Sequence, residues 1–127
     1  MKKYNFYFCA LCKNLVVQDA TNTTVPICCN EPMELLSVHT AESSTEKHVP
    51  LLDIGGDTVT VTVGSTLHPM LPAHHICKIW LYTDKGLKTA TLEPEAQPVA
   101  TFDLKPDEVV IGAYEYCNLH GLWYGDA

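Results

Sequence analysis

The chain has 127 residues, 46% of them hydrophobic, with eight basic residues against fifteen acidic ones and a formal net charge of −7. That length allows a real core, with about two-thirds of the unfolded surface buried, in one domain or one domain plus a small appendage. The acidic balance argues against nucleic acid as a partner, and no apolar run approaches the roughly 20 residues needed to cross a bilayer.

The N-terminus, Met1-Lys2-Lys3 followed by Tyr4 to Phe8, is a poor signal sequence. Asn5 interrupts the apolar stretch, Lys13-Asn14 ends it early, and no small-residue cleavage site follows. The expectation is a mature, cytoplasmic protein. Residues 4 to 8 suit a short strand, and Cys9-Ala10-Leu11-Cys12 follows directly. Leu15-Val16-Val17 reads as a second strand, Asp19 to Thr24 as a polar turn, and Val25-Pro26-Ile27 leads into Cys28-Cys29-Asn30-Glu31-Pro32. About 37 residues of short strands around four cysteines cannot hold together by burial alone and call for a metal. Residues 1–37 are therefore expected to be a small metal domain.

From Val38 the composition shifts, and residues 38–127 are expected to form the second domain. Thr40 to Thr45 is a linker ending at Glu46-Lys47-His48-Val49-Pro50, and Gly55-Gly56-Asp57 is a turn. Val59, Val61 and Val63 alternate with Thr58, Thr60 and Thr62, the period of a half-buried strand. His68-Pro69-Met70-Leu71-Pro72 cannot be regular structure. Further strands fit Ile76 to Tyr82, Lys88 to Leu92, Val99 to Leu104 and Val109 to Cys117. Turns every eight to twelve residues, β-branched runs and no helical periodicity predict an antiparallel sandwich.

Six cysteines and six histidines demand an account. Three disulfides would suit a small secreted protein, but the absent signal sequence and adequate core favour metal. Cys9-x2-Cys12 followed after fifteen residues by Cys28-Cys29 resembles a four-thiolate site, for which iron and zinc are equally acceptable. Adjacent cysteines share one ion only if the backbone bends sharply between them. The competing reading, a redox C-x-x-C beside an unrelated pair, lacks its βαβ setting. A second candidate set comprises His48, His68, His74, Cys117 and His120, all in loops or at strand ends. A lone histidine is usually surface or satisfied core, but five such residues beside turn signals are a different matter. His39, His75 and Cys77 are left with the ordinary reading. The side chain of His75 should point away from that of His74.

Read together, Cys9-x2-Cys12, Cys28-Cys29-Asn30-Glu31-Pro32-Met33, Glu46-Lys47-His48-Val49-Pro50, His68-Pro69-Met70, His74 and Cys117-Asn118-Leu119-His120-Gly121-Leu122-Trp123 resemble the desulfoferrodoxin family, two-iron superoxide reductases. The resemblance spans essentially the whole chain. It implies an all-β protein: a desulforedoxin-like iron domain over 1–37, then an immunoglobulin-like sandwich over 38–127. It implies one iron on Cys9, Cys12, Cys28 and Cys29, with zinc a possible substitute. A second iron would take four equatorial nitrogens from His48, His68, His74 and His120 and an axial sulfur from Cys117. Superoxide is the implied substrate, a rubredoxin the implied donor, and a homodimer the implied assembly. Lys13 stands where the family usually has glycine. Leu71-Pro72-Ala73 and His75-Ile76-Cys77-Lys78 also depart from its pattern, without touching a ligand position.

Five protein ligands leave one position of an octahedron for a small molecule. The thiolate opposite would push electron density toward it, and N–H groups from Asn118 to Gly121 are expected to tune that sulfur. Lys47, beside His48, is the candidate for attracting the anion. At about 6 Å and an effective dielectric of 20 it contributes about 3 kcal/mol, while remote carboxylates are screened beyond about 8 Å. The resemblance further implies that Glu46 caps the iron once it is ferric. Two other readings stand beside this one: a zinc-stabilised binding module without redox activity, and an electron carrier with both irons closed.

Overall fold

A computed structural model describes residues 3–40, 48–64 and 67–127. The chain divides into two compact units, Met1–Ser37 and Val38–Ala127. Every regular element among the described residues is a strand.

In the first unit β1 (Tyr4–Phe8) pairs antiparallel with β2 (Leu15–Asp19) and with β5 (Glu34–Leu35), while β3 (Ile27–Cys28) and β4 (Glu31–Pro32) form a separate small hairpin. Its core is slight: Tyr7, Cys9 and Met33, with Val16 and Cys28 packed against them. Val25, Ile27 and Leu35 remain exposed. So small a cluster leaves the unit dependent on something other than burial.

The second unit opens with β6 (Val38–His39), β7 (Pro50–Gly55) and β8 (Thr58–Val63). There follow β9 (Ile76–Thr83), β10 (Gly86–Thr91), β11 (Val99–Asp103), β12 (Val110–Cys117) and β13 (Gly121–Asp126). They build an immunoglobulin-like sandwich of a five-stranded sheet, ordered β10-β9-β12-β13-β6, and a three-stranded sheet, ordered β11-β8-β7. All pairs are antiparallel except the short parallel pairing of β13 with β6. Val59, Val61 and Val63 carry the inner face of one sheet, and Ile76, Ile79, Leu81, Ala113 and Cys117 that of the other. The alternating threonines of β8 lie half-buried on its outer face, as the period of two requires.

Several strands differ from the sequence reading, among them the two-residue β6 and the longer β7 and β13. β7 was not expected, because it begins with proline and leaves Leu51 and Ile54 half exposed at a sheet edge. β13 was not expected either, since glycines at 121 and 125 break its pattern. It nevertheless lies between β12 and β6. Gly125 has a packing reason: a Cβ there would collide with the Pro50 carbonyl oxygen.

The feature that positions the site is a bulge. Tyr116 pairs with Lys78 but Cys117 pairs with Ile76, so Cys77 is the extra residue. That insertion lets Ile76 and Ile79 both face the core, and Cys117 lands opposite Ile76 at the inner end of β12, fully buried.

Candidate metal centres

Cys9, Cys12, Cys28 and Cys29 bring their sulfurs within 4.8 Å of one another. The Cys12 and Cys28 sulfurs are 3.5 Å apart and those of Cys28 and Cys29 are 4.0 Å apart. Tetrahedral thiolates about 2.3 Å from one ion stand about 3.8 Å apart, so the spacing fits a shared metal, and no pair is bridged. The sharp bend needed at the adjacent cysteines is present: Cys29 and Asn30 have φ of 52° and 64°, a left-handed region that costs a side chain strain. Backbone N–H groups of Cys12 and Leu11 draw the Cys9 thiol down to about 7. Its neighbours' sulfurs, Cys12 first, push Cys29 up to about 12. Binding a metal as thiolates would release the protons these sulfurs carry. Lys13, at φ 68°, holds its left-handed backbone by donating Nζ to the Ala10 carbonyl at 3.0 Å and lying over the Phe8 ring.

His48, His68, His74, Cys117 and His120 form the second group, again within 4.8 Å. The four imidazoles close a cycle. His48 meets His68, His68 meets His74, His74 meets His120, and His120 meets His48, with ring centroids 4.7–5.0 Å apart and planes crossing at 65–84°. His48 Nε2 and His120 Nδ1 stand 3.0 Å apart, the separation of two nitrogens at right angles about an ion roughly 2.1 Å from each. The Cys117 sulfur lies 3.5 Å from His68 Nε2 and 3.9 Å from His120 Nδ1. A square of nitrogens with a sulfur to one side fits a first-row transition ion.

The surroundings act on His68 and on Cys117. His68 Nδ1 lies 2.7 Å from the Pro69 carbonyl. A carbonyl only accepts, so Nδ1 carries the hydrogen and Nε2 presents its lone pair inward. Burial then takes His68 down to about 4, opposed by that bond, and keeps it a neutral ligand. Burial pushes the Cys117 thiol up, while the N–H groups of Leu119 and His120 pull it down. These are two of the donors expected for the sulfur. The Asn118 N–H goes instead to the His75 carbonyl at 3.2 Å. His48, His68 and Cys117 are buried, His74 is half-buried and His120 is exposed, so the site lies at the surface end of the sandwich.

His75 and Cys77 stay outside the group: His75 Nε2 lies 3.7 Å from the Cys77 sulfur. Lys47 and Glu46 lie outside the described residues. Sequence reasoning gave Trp123 no role of its own. Its ring stacks on His48 at 4.8 Å and 17°, contacts His39 on the strand edge, and donates Nε1–H to the His120 carbonyl at 3.0 Å. The only hint in the sequence was its place three residues after His120.

The sequence model described as Desulfoferrodoxin matches residues 40–126. Desulfoferrodoxin from Nitratidesulfovibrio vulgaris is 40% identical over 125 residues, covering 98% of this chain and 98% of the relative. A superoxide reductase from Thermococcus kodakarensis is 33% identical over 61% of this chain and 83% of its own length. Among solved structures, the superoxide reductase from Treponema pallidum superposes with a TM-score of 0.90 at 32% identity, over 99% of this chain and 100% of that one. With the two ligand groups in place and relatives matching end to end, the chain belongs to the desulfoferrodoxin family.

Proposed function

We propose that the protein is a superoxide reductase. It reduces superoxide to hydrogen peroxide by one electron and two protons, without releasing dioxygen, at an iron held by His48, His68, His74, His120 and Cys117. The observation that carries this reading is the closed cycle of four imidazoles beside a buried thiol. Zinc prefers four ligands and would not need the fifth. The names of the Treponema pallidum and Thermococcus kodakarensis proteins support the same activity.

His48, His68, His74, His120 and Cys117 would hold a ferrous ion, which when bound would supply the electron and a place for the anion. The chain's own residues do the rest. The four imidazoles fix the geometry, and burial with the Pro69 bond keeps His68 neutral. Cys117 would lend the ion electron density, moderated by the N–H groups of Leu119 and His120. Lys47 is assigned the attraction of the anion and Glu46 the capping of the spent site. A second iron, for which zinc can substitute, belongs on Cys9, Cys12, Cys28 and Cys29, where it folds the first unit or relays electrons. A rubredoxin as donor, a homodimer as assembly and the cytoplasm as compartment complete the reading. The last agrees with six free cysteines.

The test is the visible spectrum of iron-loaded, oxidised protein with added azide or cyanide. A band from the five-ligand iron that shifts with the anion supports the reading. A colourless protein, or one blind to both anions, contradicts it. In pulse radiolysis Lys47→Ala should slow the bimolecular step by roughly ten- to a hundredfold, and an unchanged rate removes Lys47 from the mechanism. Glu46→Ala should move the ferric band, and a band that stays put removes Glu46.

A further inference from the structure

The five donors come from four separate pieces of chain. His48 precedes β7, His68 follows β8, His74 sits just before β9, and Cys117 with His120 brackets the turn from β12 to β13. A set assembled this way keeps its geometry only if the pieces are tied to one another. The His74 piece is a small hairpin closed on itself: Leu71 N–H donates to the His74 carbonyl at 2.9 Å, and His74 N–H to the Leu71 carbonyl at 3.0 Å. Those bonds fix its shape. They do not fix where it stands relative to Cys117 and His120.

We propose that Asn118 is the positioning residue that holds His74 in the ligand square. Its Oδ1 accepts the His75 N–H at 2.9 Å, and its Nδ2 donates to the Ala73 carbonyl at 3.0 Å. Its backbone N–H donates to the His75 carbonyl at 3.2 Å. All three bonds end on residues directly flanking His74, and Asn118 itself lies between the ligands Cys117 and His120. Turning or sliding the hairpin strains two side-chain bonds at once. The contact asks for an acceptor and a donor on one short planar group, which asparagine supplies. Aspartate offers only acceptors, so it keeps the bond from His75 and faces the Ala73 carbonyl with an oxygen. Alanine keeps neither side-chain bond and retains the backbone one. Asn118 is exposed, so its replacement disturbs the ligand geometry without opening the core.

This inference rests on the reading of the five residues as an iron site, and the experiment separates the two. Wild type, Asn118→Ala and Asn118→Asp are loaded with ferrous iron and titrated with a chelator. The four-cysteine iron of the same molecule serves as internal reference. Affinity at the five-ligand site should fall roughly tenfold or more in Asn118→Ala, with Asn118→Asp between it and wild type. The ferric visible band should shift in the same order, at unchanged far-ultraviolet circular dichroism. Equal affinity and an unmoved band in Asn118→Ala overturn the proposal, as does an Asn118→Asp protein no better than Asn118→Ala. If Asn118→Ala does not fold, Asn118→Asp carries the test, and wild-type behaviour there overturns it. A wild-type protein that takes up no second iron sinks the reading of the site and this inference with it.

Discussion

At the scale of single residues, neighbours act on two members of the second group, His68 and Cys117. The Pro69 carbonyl selects one tautomer of His68, and burial keeps the ring neutral far below the pH at which a free imidazole charges. Trp123 acts on two ligands at once, through the stack on His48 and the bond to the His120 carbonyl. Trp123→Phe keeps an aromatic face against His48 and removes the donor with part of the ring's bulk. It should cost about 1 kcal/mol in denaturant unfolding, whereas Trp123→Ala should cost about 3–5 kcal/mol because the ring is buried. Equal losses in the two variants would mean that the ring contributes nothing beyond its hydrogen bond. The two candidate groups were legible in the sequence because thiolates and imidazoles are rare enough to stand out beside turns. Trp123 and Asn118 were not, since an aromatic ring or an amide has many ordinary uses and only the folded contacts select one.

At the scale of strands, two arrangements bring the site together. The bulge at Cys77 sets Ile76 opposite Cys117, and β13 carries the chain on from His120 beside β12. Gly125 lets β13 pass against Pro50, two residues after His48. Gly125→Ala should therefore be strongly destabilising, because a backbone carbonyl cannot swing aside, and an unaltered melting temperature would refute that close approach. At the opposite edge Glu108 is held by Lys88 at 2.8 Å, Thr83 at 2.6 Å and the Lys105 N–H at 3.0 Å. These partners, Lys88 foremost, draw its carboxyl down to about 2. A carboxyl with a depressed folded-state value stabilises the fold above its unfolded value near 4.5 and loses that contribution as pH falls toward 2. Glu108→Gln should lower stability at neutral pH and flatten the acid limb of the stability profile between those values. A variant whose profile runs parallel to wild type would show that Glu108 does not titrate in this way. The strand of alternating Val and Thr was readable because burying one face forces a period of two. β7 and β13 were not, because an edge strand and a glycine-interrupted strand take their places from the sheets beside them rather than from their own pattern.

At the scale of the whole molecule, an acidic protein must receive an anionic substrate. The net charge of −7 is spread over a surface much wider than the screening length, so the site's immediate surroundings govern the encounter. The exposed His120 puts the five-residue group at the surface, and Lys47, next in sequence to His48, is the cation proposed above to meet the anion. The five-residue group and the four-cysteine group lie in separate units. The central claim is that the five-ligand iron reduces superoxide rather than dismuting it. The most direct check is the product count from iron-loaded protein consuming a known dose of superoxide in the presence of excess reductant. One hydrogen peroxide per superoxide, with no dioxygen, is the predicted result. One peroxide and one dioxygen for every two superoxides would contradict it.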